Sequence, residues 1–318
     1  MKIKVAIIGL GIMGRRMLEH MGRHEDFVPT SMWDPDQEAC KLAQNICPSA
    51  DVAANAAAAM AVSDLVYLAC PPVPRHELAL AAAAAGKAVF LEKPLGVDLT
   101  ASADLVESLK KSGVPVAVNF TQAAGAALAN IAQAAETGSL GEIVGIDIIV
   151  TYETWPRGWQ KEADWLRFRT EGGMTREVLS HFLFFSERLL GPLKVVFAHP
   201  SYPADRSLCE THLLAMLETP QQQAVSILAS VGGVQPDCQQ VTIKGTRKSR
   251  RVAEFSLDME SSGGAFVPLE VAPADRRAVA LKAQLDELRL CYEGKPHRLA
   301  TLDESLRVQA LVETMLVS

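Results

Sequence analysis

No two of the six cysteines (Cys40, Cys47, Cys70, Cys209, Cys238 and Cys291) stand in a C-x-x-C pair, and none clusters with histidine at zinc-ligand spacing. The pattern excludes a disulfide framework and a structural zinc site, and no metal is expected. Positive charge is in deficit: 31 Lys and Arg face 37 Asp and Glu, a net −6. A chain so balanced is not built around nucleic acid or an anionic membrane. One basic run, Arg247-Lys-Ser-Arg-Arg251, goes against this trend and is read as the solvated end of a hairpin. A membrane span is also lacking. Ser112 to Ala135 is uncharged for 24 residues, but Pro115, Asn119, Gln122, Gly125 and Asn130 interrupt it, so it reads as a strand and then a helix. The opening Met-Lys-Ile-Lys-Val-Ala-Ile-Ile-Gly has too short an apolar part for a signal peptide. Arg15-Arg16 follow it in place of a cleavage site. It is expected to be a first strand, and the chain to be cytoplasmic. There is no internal repeat.

Hydrophobic residues make up 49% and charged residues 21% of the 318, which is ordinary globular usage with enough apolar surface for a large core. At roughly 100–200 residues per domain, two domains are expected. Over the first 120 residues, strand and helix patterns alternate. Strands are expected at Lys2–Ile8, Val28–Trp33, Leu65–Cys70, Ala88–Leu91 and Val114–Phe120, and helices at Gly14–Arg23, Pro35–Ile46, Arg75–Ala85 and Asp98–Ser112. Alternation of this kind builds βαβ units around a parallel sheet covered on both faces. The alanine tracts Ala53–Ala61 and Ala79–Ala85 read as plain helices packed closely on it. After about residue 140 the texture changes. Six strands are expected: Ile143–Thr154, Val195–Tyr202, Glu210–Thr219, Gln223–Val231, Gln239–Gly245 and Val252–Leu257. One helix, Arg176–Leu190, sits among them; Arg276–Glu293 and Asp303–Leu316 close the chain. This second part is expected to be mainly antiparallel.

Three motifs carry chemistry. Gly9-Leu-Gly11-Ile12-Met13-Gly14 follows the first strand and opens the first helix, the context in which a G-x-G-x-x-G holds a dinucleotide. Gly9 allows the tight turn, Gly11 lets the backbone approach a pyrophosphate, and Gly14 lets helix and strand pack closely. Asp34 ends the second strand, 20 residues after Gly14. It either accepts hydrogen bonds from ribose hydroxyls, favouring NAD over NADP, or caps the next helix. Glu92-Lys93-Pro94 follows the strand at Ala88–Leu91, at the sheet edge where ligands of open parallel sheets bind. In Gly172-Gly-Met-Thr-Arg-Glu177-Val-Leu-Ser-His181, Glu177 and His181 are four apart on a helix, so they are expected to share a face. His181 is suited to taking a proton near neutral pH, or else is a core histidine among Phe and Leu.

In this order the motifs, with Cys70-Pro71 and His76 after the third long strand, resemble the glucose–fructose oxidoreductase / inositol dehydrogenase (Gfo/Idh/MocA) family over nearly the whole chain. The resemblance implies an α/β protein. Residues 1–121 would be a doubly wound NAD(P)-binding Rossmann domain. Residues 122–318 would be a substrate-binding and oligomerising domain with an open, mainly antiparallel mixed sheet, the terminal helix packing back toward the first domain. It implies hydride transfer between a nicotinamide and a carbinol or carbonyl carbon of a sugar, cyclitol, sugar acid or related small molecule. Lys93 would orient the substrate hydroxyl and His181 would accept its proton, with Glu92 and Pro94 positioning Lys93. Gly9, Gly11, Ile12, Met13, Gly14, Asp34, Cys70, Pro71, His76, Glu92 and Lys93 would bind the cofactor. A homodimer or homotetramer through the second sheet is implied as well. The chain departs from the family where Glu177 and Phe184 replace aspartates and where no arginine stands near Gln122. These losses weigh against a heavily hydroxylated sugar. Trp155, Arg157, Trp159, Arg167 and Arg169 precede the His181 helix, and aromatic faces with arginines suit a ring carrying an acid group. Two alternatives stand beside this reading. Phe182, Phe184 and Phe185 suggest an imine or enal reductase with an apolar pocket. A non-catalytic nucleotide-sensing regulator is the other, and the joint presence of Lys93 and His181 counts against it.

Overall fold

The computed structural model describes residues 1–271 and 273–317. It divides into two compact units, one of residues 1–120 with 281–306, the other of residues 121–280 and from 307 onward. In the first unit, strands β1 (Ile3–Ile8), β2 (Phe27–Trp33), β3 (Asp51–Val52), β4 (Leu65–Leu68), β5 (Ala88–Glu92) and β6 (Val116–Asn119) form one parallel sheet. Its order is β3-β2-β1-β4-β5-β6. Helices α1 (Ile12–Arg23), α2 (Gln37–Ile46), α3 (Ala56–Ala61), α4 (Pro72–Ala84) and α5 (Leu99–Ser112) make the crossovers. Every residue of β4 and β5 is buried, as in a sheet covered on both faces. The order reverses direction between β1 and β4, so the carboxyl ends of these strands diverge around a crevice.

In the second unit, α6 (Ala126–Glu136) leads into β7 (Ile143–Tyr152), and α7 (Ser180–Leu190) into β8 (Lys194–Ser201). Strands β9 (His212–Glu218), β10 (Ala224–Val231), β11 (Cys238–Gly245), β12 (Ser249–Ala253), β13 (Leu257–Ser261) and β14 (Val267–Pro268) complete an eight-stranded sheet of order β14-β13-β12-β11-β7-β10-β9-β8. Only β10 and β7 pair in parallel. Burial alternates along β9 and β10: Leu213, Ala215, Leu217, Val225, Ile227 and Ala229 point inward. Their neighbours Leu214, Met216 and Leu228 point outward with Phe197 and are exposed by 40–54%. Two helices, α8 (Arg276–Tyr292) and α9 (Leu302–Val317), close the chain. Residues 281–306 pack with the first unit: Val118 N–H donates to Ala300 O (3.0 Å), and His24 Nε2 meets Asp286 Oδ1 at 3.1 Å.

Two expectations need correction. The strand expected at Val252–Leu257 is a hairpin corner, because Glu254 and Phe255 adopt φ of +49° and +66° and end β12. Nothing in Glu-Phe-Ser signals a turn, since Gly, Asn and Asp usually fill such positions. The basic run does begin at the hairpin end between β11 and β12, but its last three residues belong to β12 and it is not solvated throughout. Arg250 is buried against the Asp258 carboxylate, Lys248 Nζ meets Glu260 Oε1 at 2.7 Å, and Arg251 lies 3.9 Å over the Phe266 ring. Strands β3 and β14 are two residues each, too short to leave a pattern in the sequence.

Candidate active site

The glycine loop is built by steric exclusion. Gly9 has φ +90°, and a Cβ there would lie 2.4 Å from Cys70 N. A Cβ on Gly14 would lie 1.8 Å from Gly9 O, so α1 can approach β1 only without a side chain at that point. Gly11 differs. Its Cβ would meet nothing within 4 Å, so the protein's own packing does not require glycine there. The space beside it, at the N-terminus of a helix whose first N–H groups are unpaired by the helix, is a cradle for an anionic group. Ile12 and Met13 begin that helix and are half-buried. Asp34 faces the same loop: its Oδ2 accepts from Leu10 N–H (2.6 Å) and its Oδ1 from Asp36 N–H (2.8 Å). Each carboxylate oxygen keeps a further lone pair for a ligand hydroxyl. The cap of α2 is Asp36, which accepts from Glu38 N–H (2.9 Å), so the capping alternative for Asp34 falls.

The turn at Glu92-Lys93-Pro94 is fixed by a residue that sequence reasoning placed only in a helix. Arg75, 2% exposed on α4, donates through Nη1 to Glu92 O (2.6 Å) and to Pro94 O, and through Nη2 to Cys70 O (2.5 Å). One guanidinium thus ties the carboxyl end of β4 to both sides of Lys93. Below the turn, the buried Glu92 carboxylate accepts from the Tyr67 hydroxyl and from Asn119 Nδ2 (2.6 Å). Burial pushes the Glu92 carboxyl above its ordinary range, and Tyr67, Lys93, Arg75 and Asn119 pull it back. Pro71 precedes α4, Cys70 is buried, and His76 is half-buried beside Arg75. Apart from the α4 residue His76, the cofactor residues expected in this unit therefore stand at or just after the carboxyl ends of β1, β2, β4 and β5.

In the second unit Gly172-Gly173 is shaped by charge. Gly173 has φ +108°, and a Cβ there would strike the Glu210 carboxylate at 2.5 Å. Glu210 accepts from Thr175 N–H (2.7 Å), and burial pushes its carboxyl up. Arg176 makes a two-bond pair with Glu313 (2.7 Å each) and donates to Arg169 O and Gly172 O. The helix then opens with a π-helical turn, Thr175–Leu179, directly before α7 and His181. Such turns are frequent at functional sites. His181 is 7% exposed, its ring edge-on to Phe255 at 5.8 Å.

Of the second-unit residues, Glu177, Arg157, Trp155 and Trp159 come together. Arg157 Nη2 lies 3.7 Å from Glu177 Oε1, its Nε donates to Gln160 Oε1 (2.7 Å), and its guanidinium packs over the rings of Tyr152, Trp155 and Trp159. Gln160 in turn donates to Glu177 Oε1 (3.1 Å). Arg167 and Arg169 are exposed and stand elsewhere, over Phe168 and Tyr202 respectively. Phe182, Phe184 and Phe185 are core residues, at most 1% exposed. Among the described residues no group of three or more His, Cys, Asp or Glu could hold a metal, and no helix is long and apolar enough to cross a membrane.

Residues 3–120 match the family model described as the oxidoreductase family with an NAD-binding Rossmann fold, and residues 128–251 match the GFO/IDH/MocA C-terminal domain. No curated protein matches the chain. Among solved structures, it resembles the WlbA dehydrogenase from Bordetella pertussis in complex with NADH and UDP-GlcNAcA (22% identity, TM-score 0.82, 100% of this chain and 96% of that one). It also resembles scyllo-inositol dehydrogenase from Lactobacillus casei with NAD(H) and scyllo-inositol (16%, 0.81, 100% and 96%). A third is an oxidoreductase from Agrobacterium radiobacter in complex with NAD+, L-tartaric acid and magnesium (16%, 0.83, 100% and 97%). At these identities the structures show the shared fold.

The glycine geometry separates two variants. Gly11→Ala, at φ −65°, is expected to fold with a Tm within about 2 °C of wild type while weakening NADH binding by about tenfold or more in a fluorescence titration. Gly14→Ala is expected to yield little folded protein on circular dichroism. For Glu210, the raised carboxyl pKa makes its contribution to stability greatest at low pH and lost as pH rises through that pKa. Glu210→Gln keeps an acceptor for Thr175 N–H and removes the titration. The Tm of the variant relative to wild type is expected to rise as pH is raised from the ordinary carboxylate range toward and past neutrality. A constant difference across that range would contradict the assignment.

Proposed function

The chain belongs to the Gfo/Idh/MocA family of oxidoreductases, and from that membership we propose that it transfers a hydride between NAD and the carbinol or carbonyl carbon of a small polar molecule: a sugar, cyclitol, sugar acid or relative. The observation that carries the proposal is that the carboxyl end of β4 at Cys70 packs against the glycine loop at Gly9, beside the open space at Gly11, and is tied through Arg75 to the buried turn that holds Lys93. A nicotinamide, when bound, supplies a carbon that accepts or returns the hydride. Lys93 orients the substrate oxygen and lowers the pKa of its hydroxyl by its charge. His181 takes the hydroxyl proton during oxidation and returns it during reduction. Arg75 and Glu92 hold the lysine's backbone. Asp34 supports NAD over NADP, since its carboxylate accepts ribose hydroxyls and repels a 2′-phosphate.

The substrate class draws support from the ligands of the three similar structures, a cyclitol, a nucleotide sugar and a hydroxy acid. The apolar-pocket alternative loses its ground, because the three phenylalanines that suggested it are core. A cytoplasmic location belongs to the same reading, supported by six free thiols. So does a homo-oligomer formed through the outer face of the second sheet. On that face Leu228 lies opposite Leu214 and Ile149, and Met216 opposite Phe197, an apolar strip that a second copy would cover.

Lys93→Met and His181→Ala are each expected to lower kcat by about 10²–10⁴ on whichever polyol, sugar or hydroxy acid the wild type oxidises, followed at the NADH absorbance. Undiminished turnover in both would overturn the mechanism. Leu228→Glu is expected to convert the assembly to monomers in sedimentation or light scattering, with its far-ultraviolet circular dichroism unchanged; an unchanged mass would exclude this face.

A further inference from the structure

The corner between β12 and β13 is made in an unusual way. Ser256 N–H donates to Ala253 O (3.1 Å) around Glu254 and Phe255, which take φ of +49° and +66°. Both central residues are left-handed, a turn that ordinarily calls for Asn and Gly. A bulky aromatic residue at positive φ is a genuine outlier, and such conformations persist where the surroundings hold them, commonly at functional sites. Here the surroundings are specific. The Glu254 carboxylate is tied to Arg276. The Phe255 ring stacks on Phe182 (5.3 Å, 18° between planes) and meets the His181 ring in a T arrangement (5.8 Å, 84°). Phe182 is fully buried in the core, and Phe255 is seated on it. The corner lies beyond residue 251 and belongs to none of the motifs discussed above.

We propose that Phe255 is a positioning residue for His181: the turn keeps two left-handed residues because only then does this ring lie flat on Phe182 and against the imidazole. A stacked partner on one side and a T contact on the other leave the Phe255 ring one orientation. The imidazole beside it loses the freedom to swing about its terminal torsion, which is broad in histidine. The ring also withholds water from one side of the imidazole. The functional part of the proposal rests on His181 as the proton acceptor, whereas the positional part does not.

The test uses the full chain with Phe255→Gly, Phe255→Leu and Phe255→Tyr. Glycine removes the ring and suits the turn, leucine keeps apolar bulk without a flat face, and tyrosine restores the ring. The mobility of the His181 imidazole is read by carbon-13 relaxation of its ring C–H groups, assigned by their loss in His181→Ala. It is expected to increase in the glycine and leucine variants and to return to the wild-type value in the tyrosine variant. Turnover is expected to follow: kcat falls about tenfold in the first two, with KM within about twofold, and recovers in the third. A purely structural role would lower Tm while leaving the His181 ring mobility and kcat unmoved, and that result overturns the proposal. Should the wild type turn over no substrate, the hydride-transfer reading fails, and the ring mobility alone decides whether Phe255 holds His181.

Discussion

The guanidinium of Arg75 is the interaction on which the carboxyl edge of the first unit's sheet depends. Parallel strands end in loops whose carbonyls have no ladder partner, and three of them (Cys70, Glu92 and Pro94) converge where water is largely excluded. Each buried carbonyl left without a donor costs about 1–3 kcal/mol, so three together would open the crevice. A single rigid fork of donors meets all three, which a lysine could not do in the same geometry. The result is that the end of β4, which faces the glycine loop through Cys70 N and Gly9, is held in register with the turn that carries Lys93. The glycine loop and the Lys93 turn are set by the same contact.

The second unit uses buried charge differently. Glu210 fills the place of a side chain at Gly173, and the Arg176–Glu313 pair closes the same segment. Buried pairs of this kind contribute little net stability against an apolar replacement, but they fix a unique local path because any other leaves a charge unpaired. That path delivers the π-helical turn and then His181 at the start of a helix whose remaining inward residues are plain core. Arg157 is held in a similar way. Its guanidinium is already occupied by Glu177, Gln160 and three aromatic rings, so its place is that of an internal strut around Glu177.

Much of this was legible in the residues. Short apolar runs alternating with helical patterns marked five of the six strands of the parallel sheet within a few residues, because strands buried on both faces read as continuous apolar runs. Gly9 and Gly14 could be placed because each answers to a separate steric demand, and Gly11 because it completes the loop pattern between them. What stayed hidden depended on tertiary context. Arg75 looked like an ordinary helix residue, since nothing local announces that three distant carbonyls will meet it. Tyr67 and Asn119 read as strand residues, yet they hold the Glu92 carboxylate. The corner at Phe255 broke the usual turn chemistry and so was taken for strand. The arginines before α7 read alike in the sequence, and only the fold separates Arg157, set against Glu177 and Gln160, from Arg167 and Arg169, which lie over other rings.

The account stands on the claim that the crevice beside Gly11 and Lys93 carries out hydride transfer, and isotope transfer tests this most directly. Wild type and Lys93→Met would each be incubated with NADH deuterated at both C4 positions and a panel of keto-cyclitols, keto sugars and keto acids, and the products examined by NMR. The account predicts deuterium on the new carbinol carbon of at least one product with the wild type and none with Lys93→Met. Binding of NADH without deuterium transfer to any member of the panel, or equal transfer by the variant, would contradict it.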